Sequence, residues 1–154
     1  MLKVKRLSLA ILLTISLQPT RLSAHGEDKL GPHKGYIRMP GSFHTEVTQQ
    51  SPTSFVVYLL DMHWKNPTTH QSEVTAYVMR PTDQNNSASQ KIPLICTTHR
   101  NSYLCQTTQG AATQPGDQLL LKATRAGQAG GIATYDLPLR LTKTNTSHSA
   151  HRGH

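Results

Sequence analysis

Acidic residues are scarce in this chain: eight Asp and Glu stand against sixteen Lys and Arg in 154 residues. No pair of carboxylates therefore stands out for general acid–base work. The Gly-x-Ser-x-Gly elbow, the phosphate loop, the dinucleotide fingerprint and the His-Glu-x-x-His zinc motif are also missing, so the sequence reads as a non-enzyme. Aromatic residues make up only 5% of the chain, and the basic residues are scattered without a run, which argues against a nucleic-acid surface. Trp64 is the only tryptophan, so the flat aromatic platform of a polysaccharide-binding copper oxygenase is not in evidence. Helical periodicity is absent. Beyond the N-terminal region no apolar run approaches the ~20 residues of a membrane span.

The N-terminal region has its own pattern. Lys3, Lys5 and Arg6 precede a Leu- and Ile-rich run over 7–17, which Gln18-Pro19-Thr20 breaks. This is the layout of a secretory signal peptide, with Leu22-Ser23-Ala24 offering a small residue before the cut. The expected division is a signal peptide over 1–24, a folded domain over 25–141 and a disordered His-containing tail over 142–154. The expected compartment is the periplasm, or the exterior if the protein is secreted. No cysteine lies near the cut, which excludes a lipid-anchored cysteine. Lys3, Lys5, Arg6 and Arg21 leave with the leader and no acidic residue does, so the formal charge falls from +8 to +4.

Short runs rich in Val, Ile, Leu, Tyr and Thr recur between Pro, Gly, Asn and Ser clusters. They predict strands over 36–39, 43–49, 54–62, 73–80, 92–99, 102–108, 118–124 and 132–141, with 127–131 as the last hairpin turn. Phe43, Thr45 and Val47 alternate with His44 and Glu46, and Val74, Ala76 and Val78 alternate with polar neighbours. Residues 55–60 are apolar throughout, as in a central strand covered on both sides. The expected fold is all-β, an antiparallel immunoglobulin-like β-sandwich of about seven or eight strands.

Two cysteines, Cys96 and Cys105, flank Thr-Thr-His-Arg-Asn-Ser-Tyr-Leu. A two-residue turn at Arg100-Asn101 would face them across a hairpin as a non-hydrogen-bonded pair, with Cα atoms about 4.5 Å apart. That separation permits a disulfide, and an oxidising compartment favours one. The alternative is a copper or zinc thiolate site.

All nine histidines lie beyond residue 24. Cleavage after Ala24 would make His25 the N-terminus, where the α-amine and Nδ1 can grip one ion together. Imidazole and carboxylate ligands suit divalent copper and zinc. Asp61 and His63 share one side if strand spacing continues through them, and with His25 they would form a mixed nitrogen and oxygen site. His44 and Glu46 share the face opposite Phe43 and Val47, which reads first as an ordinary solvated face. His33 follows Pro32 in a Gly-flanked segment beside the first strand. His70 and His99 fall in a loop and a turn. His148, His151 and His154 could capture metal loosely from a flexible tail. Met39, Met62 and Met79 offer thioether sulfur, which favours monovalent copper, although methionines scattered in a sandwich read first as core filler.

Gly31-Pro32-His33-Lys34-Gly35, then Phe43-His44-Thr45-Glu46-Val47, then Val57-Tyr58-Leu59-Leu60-Asp61 resemble small exported β-sandwich modules of heavy-metal resistance systems. Among these is the N-terminal domain of periplasmic adaptor subunits of metal-efflux pumps. Those modules carry Gly-Pro-His-Gly-Gly, and Lys34 stands here in place of a glycine. The adaptor's long helical hairpin is absent, so the resemblance implies a stand-alone module.

Together these features imply an exported metal-binding protein, with copper the expected ion and zinc the alternative, acting in buffering, delivery or resistance. The candidate ligands are His25, His33, His44, Glu46, Asp61 and His63. The expected partners are the metal ion and an envelope efflux or metal-transfer protein. The alternative is a non-catalytic immunoglobulin-like interaction module without a specific metal site.

Overall fold

The computed structural model describes residues 29–82 and 89–139. The expected signal peptide, His25 and the tail histidines His148, His151 and His154 lie outside the described residues. Among the described residues, eight antiparallel strands make up the fold: β1 (Tyr36–Arg38), β2 (His44–Ser51), β3 (Ser54–Leu60), β4 (Glu73–Arg80), β5 (Gln90–His99), β6 (Ser102–Thr107), β7 (Gln118–Arg125) and β8 (Gln128–Asp136). The one helical element among the described residues is a 3₁₀ turn at Thr108–Gly110. The fold is all-β and antiparallel, as the strand pattern predicts.

The strands pair in the order β1-β2-β3-β6-β5-β4-β7-β8, one continuous ladder whose ends approach each other. Arg38 Nε donates to the Thr134 carbonyl (3.1 Å), and its guanidinium lies 5.3 Å from the centre of the Tyr135 ring. Gly131 N donates to the Pro40 carbonyl (2.8 Å). The buried Tyr135 hydroxyl donates to the Thr45 carbonyl (3.0 Å) and sits 2.6 Å from Thr45 Oγ1. The sheet nearly closes because β1 is only three residues long and these contacts bridge the remaining gap.

Period-two alternation places the core. Phe43, Val47, Phe55, Val57, Leu59, Val74, Ala76, Val78, Leu119, Leu121 and Tyr135 meet in one buried cluster. Residues of β3 are buried on both faces, as expected of a strand between β2 and β6. The β5–β6 hairpin has the expected register: His99 faces Ser102 and Cys96 faces Cys105. The two cysteines form a disulfide with Cα atoms 3.9 Å apart.

Three local expectations are corrected. β3 stops at Leu60 and does not run to Met62, because Asp61 opens a turn. The last hairpin turn is Ala126-Gly127, both with positive φ (48° and 79°), while Gly130 and Gly131 lie within β8. Gly130 is placed there by closeness: a Cβ on it would lie 2.9 Å from Phe43 Cζ. Finally, the face of β2 that carries His44 and Glu46 is buried, not solvated, because the chain before β1 folds over Glu46 and the turn after β3 brings Trp64 and the Asp61 carbonyl to His44.

Candidate functional site

Glu46 lies mid-strand in β2, opposite Ile37 of β1 and Tyr58 of β3, with its side chain fully buried. A buried carboxylate is costly unless each oxygen finds donors. Here the donors come from one loop. Gly31 to Lys34 form a turn with Pro32 second, closed by Lys34 N donating to the Gly31 carbonyl (2.9 Å). Pro suits that position because its φ is already set. The turn aims the His33 and Gly35 backbone N–H groups at Glu46 Oε1, each at 2.8 Å. His33 Nδ1 meets Glu46 Oε2 at 2.7 Å.

The two glycines of Gly-Pro-His-Lys-Gly let the backbone come this close. A Cβ on Gly31 would lie 2.5 Å from Glu46 Cδ, and one on Gly35 would lie 2.7 Å from both Glu46 Cγ and the Val47 carbonyl oxygen. Lys34, where the resembling motif has glycine, adopts a left-handed φ of 63°, so the turn forms with lysine there.

The His33 ring stacks flat on Tyr58, with centroids 3.7 Å apart and planes 3° from parallel. A third of its side chain stays exposed (33%). With Glu46 as a carboxylate, Nδ1–H donates to it, and in the neutral imidazole Nε2 then carries the lone pair. The result is a rigid imidazole with one nitrogen oriented by a carboxylate and the other free to accept. Metal-bearing histidines are commonly held this way.

Asp61 and His63 are arranged otherwise. Asp61 Oδ1 accepts from the backbone N–H groups of His63 (2.8 Å) and Lys65 (2.9 Å), and Oδ2 accepts from Asn66 Nδ2 (2.7 Å). The Lys65 N–H, followed by the His63 N–H and the Asn66 amide, holds the Asp61 carboxyl below its ordinary range. Its carboxylate thus organises its own turn. His63 is exposed and contributes its backbone to that turn. Period-two spacing does not apply to Asp61 and His63, because both lie past the end of the strand.

His44 is buried at the start of β2, opposite Leu60. Its Nδ1 lies 3.1 Å from the Asp61 carbonyl oxygen, and its ring meets Trp64 edge-on at 5.9 Å. The carbonyl can only accept, so here too Nδ1 carries the proton. Among the described residues, no three or more His, Cys, Asp or Glu side chains converge on one point. The structure brings His33 to Glu46 and His44 to the Asp61 carbonyl, and it keeps these two pairs separate.

Sequence reasoning missed three residues that shape these settings: Glu46 as a buried anchor, Tyr58 as the stacking partner and Trp64 beside His44. For Glu46 a signal existed, since two glycines four residues apart around His33 imply a close backbone approach to something. Comparison of the chain with protein-family models, curated proteins and solved structures finds no match.

Proposed function

We propose that this is an exported metal-binding protein, with copper as its ion, that buffers the metal or passes it to an envelope efflux or metal-transfer partner. The observation that carries the reading is the imidazole of His33, held at Nδ1 by Glu46 and stacked on Tyr58, a partly exposed ring whose Nε2 would be the ligating nitrogen. His25 lies eight positions earlier in the sequence. After cleavage at Ala24 it would supply an amine and a second imidazole, and the histidine content adds capture groups. Asp61 is not in the proposed ligand set, because its oxygens already accept three hydrogen bonds within their own turn. No catalytic step is proposed.

The test is native mass spectrometry and calorimetry of the chain that begins at His25, with His148, His151 and His154 changed to Ala so that the tail does not contribute. One divalent copper ion should bind. His33→Ala should abolish tight binding. Glu46→Gln should weaken it by roughly 10- to 100-fold, as loss of an outer partner does at other metal sites. The glutamine amide would present N–H to Nδ1 and push the imidazole proton onto Nε2. One residue added before His25 should also weaken binding. Protons compete for imidazole nitrogen, so affinity should fall as pH drops through the histidine range. Affinity indifferent to His33→Ala would sink the reading.

A further inference from the structure

We propose that the outer face of strands β5, β4, β7 and β8 is a self-association surface, on which a second copy of this chain packs about a two-fold axis parallel to the strands. The inference does not rest on the metal-binding reading, so either can fail alone.

Register lays this face out in rows. Lys91 faces Met79, Met79 faces Gln118, and Gln118 faces Asp136. Pro93, Tyr77, Leu120 and Thr134 face one another in the same way and form the next row. A third row runs from Thr75 through Lys122 to Ile132. Its β5 end is Ile95, one residue past Leu94, where β4 stops pairing with β5. The alternate residues of these strands, such as Leu94, Val78, Leu121 and Ala133, are buried in the core, so the three rows point outward.

Exposure sets this face apart. Among the described residues, Ile95 and Ile132 are the two most exposed large apolar side chains, at 63% and 58%. They stand at the two ends of one row. Pro93, Tyr77 and Leu120 lie side by side in the next. Beside them the surface is hollow, with a cavity of about 480 Å³ lined by Met79, Gln118 and Leu120 among others. A convex wall would give a facing sheet only a line of contact, whereas a hollow over β4 and β7 admits its side chains. The corner charges are held over the face: Lys91 Nζ rests 4.0 Å from the centre of the Tyr77 ring, and Asp136 Oδ1 accepts from Gln118 Nε2 (2.9 Å).

Self-complementarity identifies the occupant. In an isologous dimer, residue i of one copy meets residue j of the other, and j meets i. A two-fold axis between β4 and β7 exchanges β5 with β8 and β4 with β7, and it keeps each row on itself. Ile95 of one copy then meets Ile132 of the other, Tyr77 meets Leu120, and Lys91 meets Asp136, each pair twice. No like charges meet in these rows, since Lys122 falls on Thr75. Facing sheets pack about 10 Å apart with strands within about 30° of each other, and the long Lys91 side chain absorbs the offset at its corner. Three rows on four strands make a small interface, which fits a reversible dimer rather than an obligate one.

The experiment is sedimentation equilibrium of the protein expressed from the full chain, from micromolar to millimolar concentration, with and without EDTA. Wild type should show a monomer–dimer equilibrium with a micromolar Kd, the same in both conditions. Lys91→Glu and Asp136→Lys are changes at exposed positions. Each sets like charges together twice per dimer and should raise Kd at least about tenfold. An equal mixture of the two variants should dimerise as wild type does, because the mixed pair has opposite charges at both corners, and that recovery also shows both variants to be folded. Within one chain Lys91 and Asp136 are three strand steps of about 4.8 Å apart, beyond the screening length of about 8 Å, so the recovery reads the contact between copies. Ile95→Asp should weaken association by at least a similar factor. A wild type that stays monomeric throughout, leaving the face to a different partner, would overturn the proposal. So would a dimer indifferent to the charge reversals, a mixture that does not recover, or a dimer lost in EDTA and therefore bridged by metal.

Discussion

Lys34 is a lysine in a position that glycine would fill more easily. Its φ of 63° brings Cβ against the following carbonyl, a cost of roughly 1 to 2 kcal/mol for an L-residue. Glycine would relieve that cost but would add freedom to the unfolded chain. Lys34→Gly should therefore raise stability by a net amount of about 0.5 to 1 kcal/mol. The gain would appear as a higher urea midpoint at unchanged slope, and an unchanged midpoint would mean that the lysine side chain already offsets the strain. The substitution of lysine for glycine in the motif was visible in the sequence. What could not be seen was that the turn exists to cap Glu46, because that contact spans 13 positions along the chain. His44 and Glu46 looked alike as polar residues on a strand face. Only the segments that pack on that face, the loop before β1 on Glu46 and the turn after β3 at His44, bury the two side chains.

At the scale of the element, the β5–β6 hairpin was the most legible part of the chain. A two-residue turn dictates which residues face each other, so the Cys96–Cys105 pairing followed from counting. The bridge closes a short loop, so replacing both cysteines with Ala should cost about 2 to 3 kcal/mol. Guanidinium unfolding of the double variant checks this, and a loss below 1 kcal/mol would show that the hairpin is already ordered in the denatured chain. Strand ends were less legible. β3 ends at Leu60 because the next carboxylate satisfies three donors in its own turn, an arrangement that local propensity does not reveal. β8 accepts Gly130 because Phe43, far off in sequence, needs the space. Glycine run 127–131 reads as a turn until that neighbour is known.

For the whole molecule, near-closure of the sheet depends on contacts at its ends. Between the neighbouring strands β4 and β7, the buried Asp117, just before β7, receives Arg80 of β4 through Nε (3.0 Å) and Nη2 (2.8 Å), and also the Gln114 backbone N–H (2.8 Å). Arg80 Nη2 also donates to the Ala112 carbonyl (2.8 Å), which ties in the loop after the 3₁₀ turn. Burial pushes the Asp117 carboxyl up, but Arg80 and the Gln114 N–H outweigh it, so its folded value lies below the ordinary one. The folded state therefore prefers the ionised form. The resulting stability is present in full above the ordinary carboxylate range and is lost as pH falls from about 4 through the lower folded value. Asp61 acts with the same sign. Asp117→Asn should cost about 3 kcal/mol at pH 7, at the low end for a broken buried pair because Arg80 keeps partial exposure. Its stability should also fall less than that of wild type between pH 5 and pH 3, as urea unfolding at the two values would show. Equal acid sensitivity in both proteins would place the linkage elsewhere.

The sequence by itself determined the alternation of strands, the buried set Phe43, Val47, Val57, Val78 and Leu121, the hairpin register and the disulfide partner. All of these follow from period-two side-chain geometry and turn length, which act over a few residues. Tertiary structure alone decided that Glu46 would be a capped anchor rather than a surface ligand. It also decided that His33 would be held by Glu46 and Tyr58, that Asp61 would close its own turn, and that His44 would lie buried against Trp64 and the Asp61 carbonyl. Each of these depends on which distant segment covers a strand face or end. A carboxylate or an imidazole takes its role from the donors that surround it, and those donors come from elsewhere in the chain.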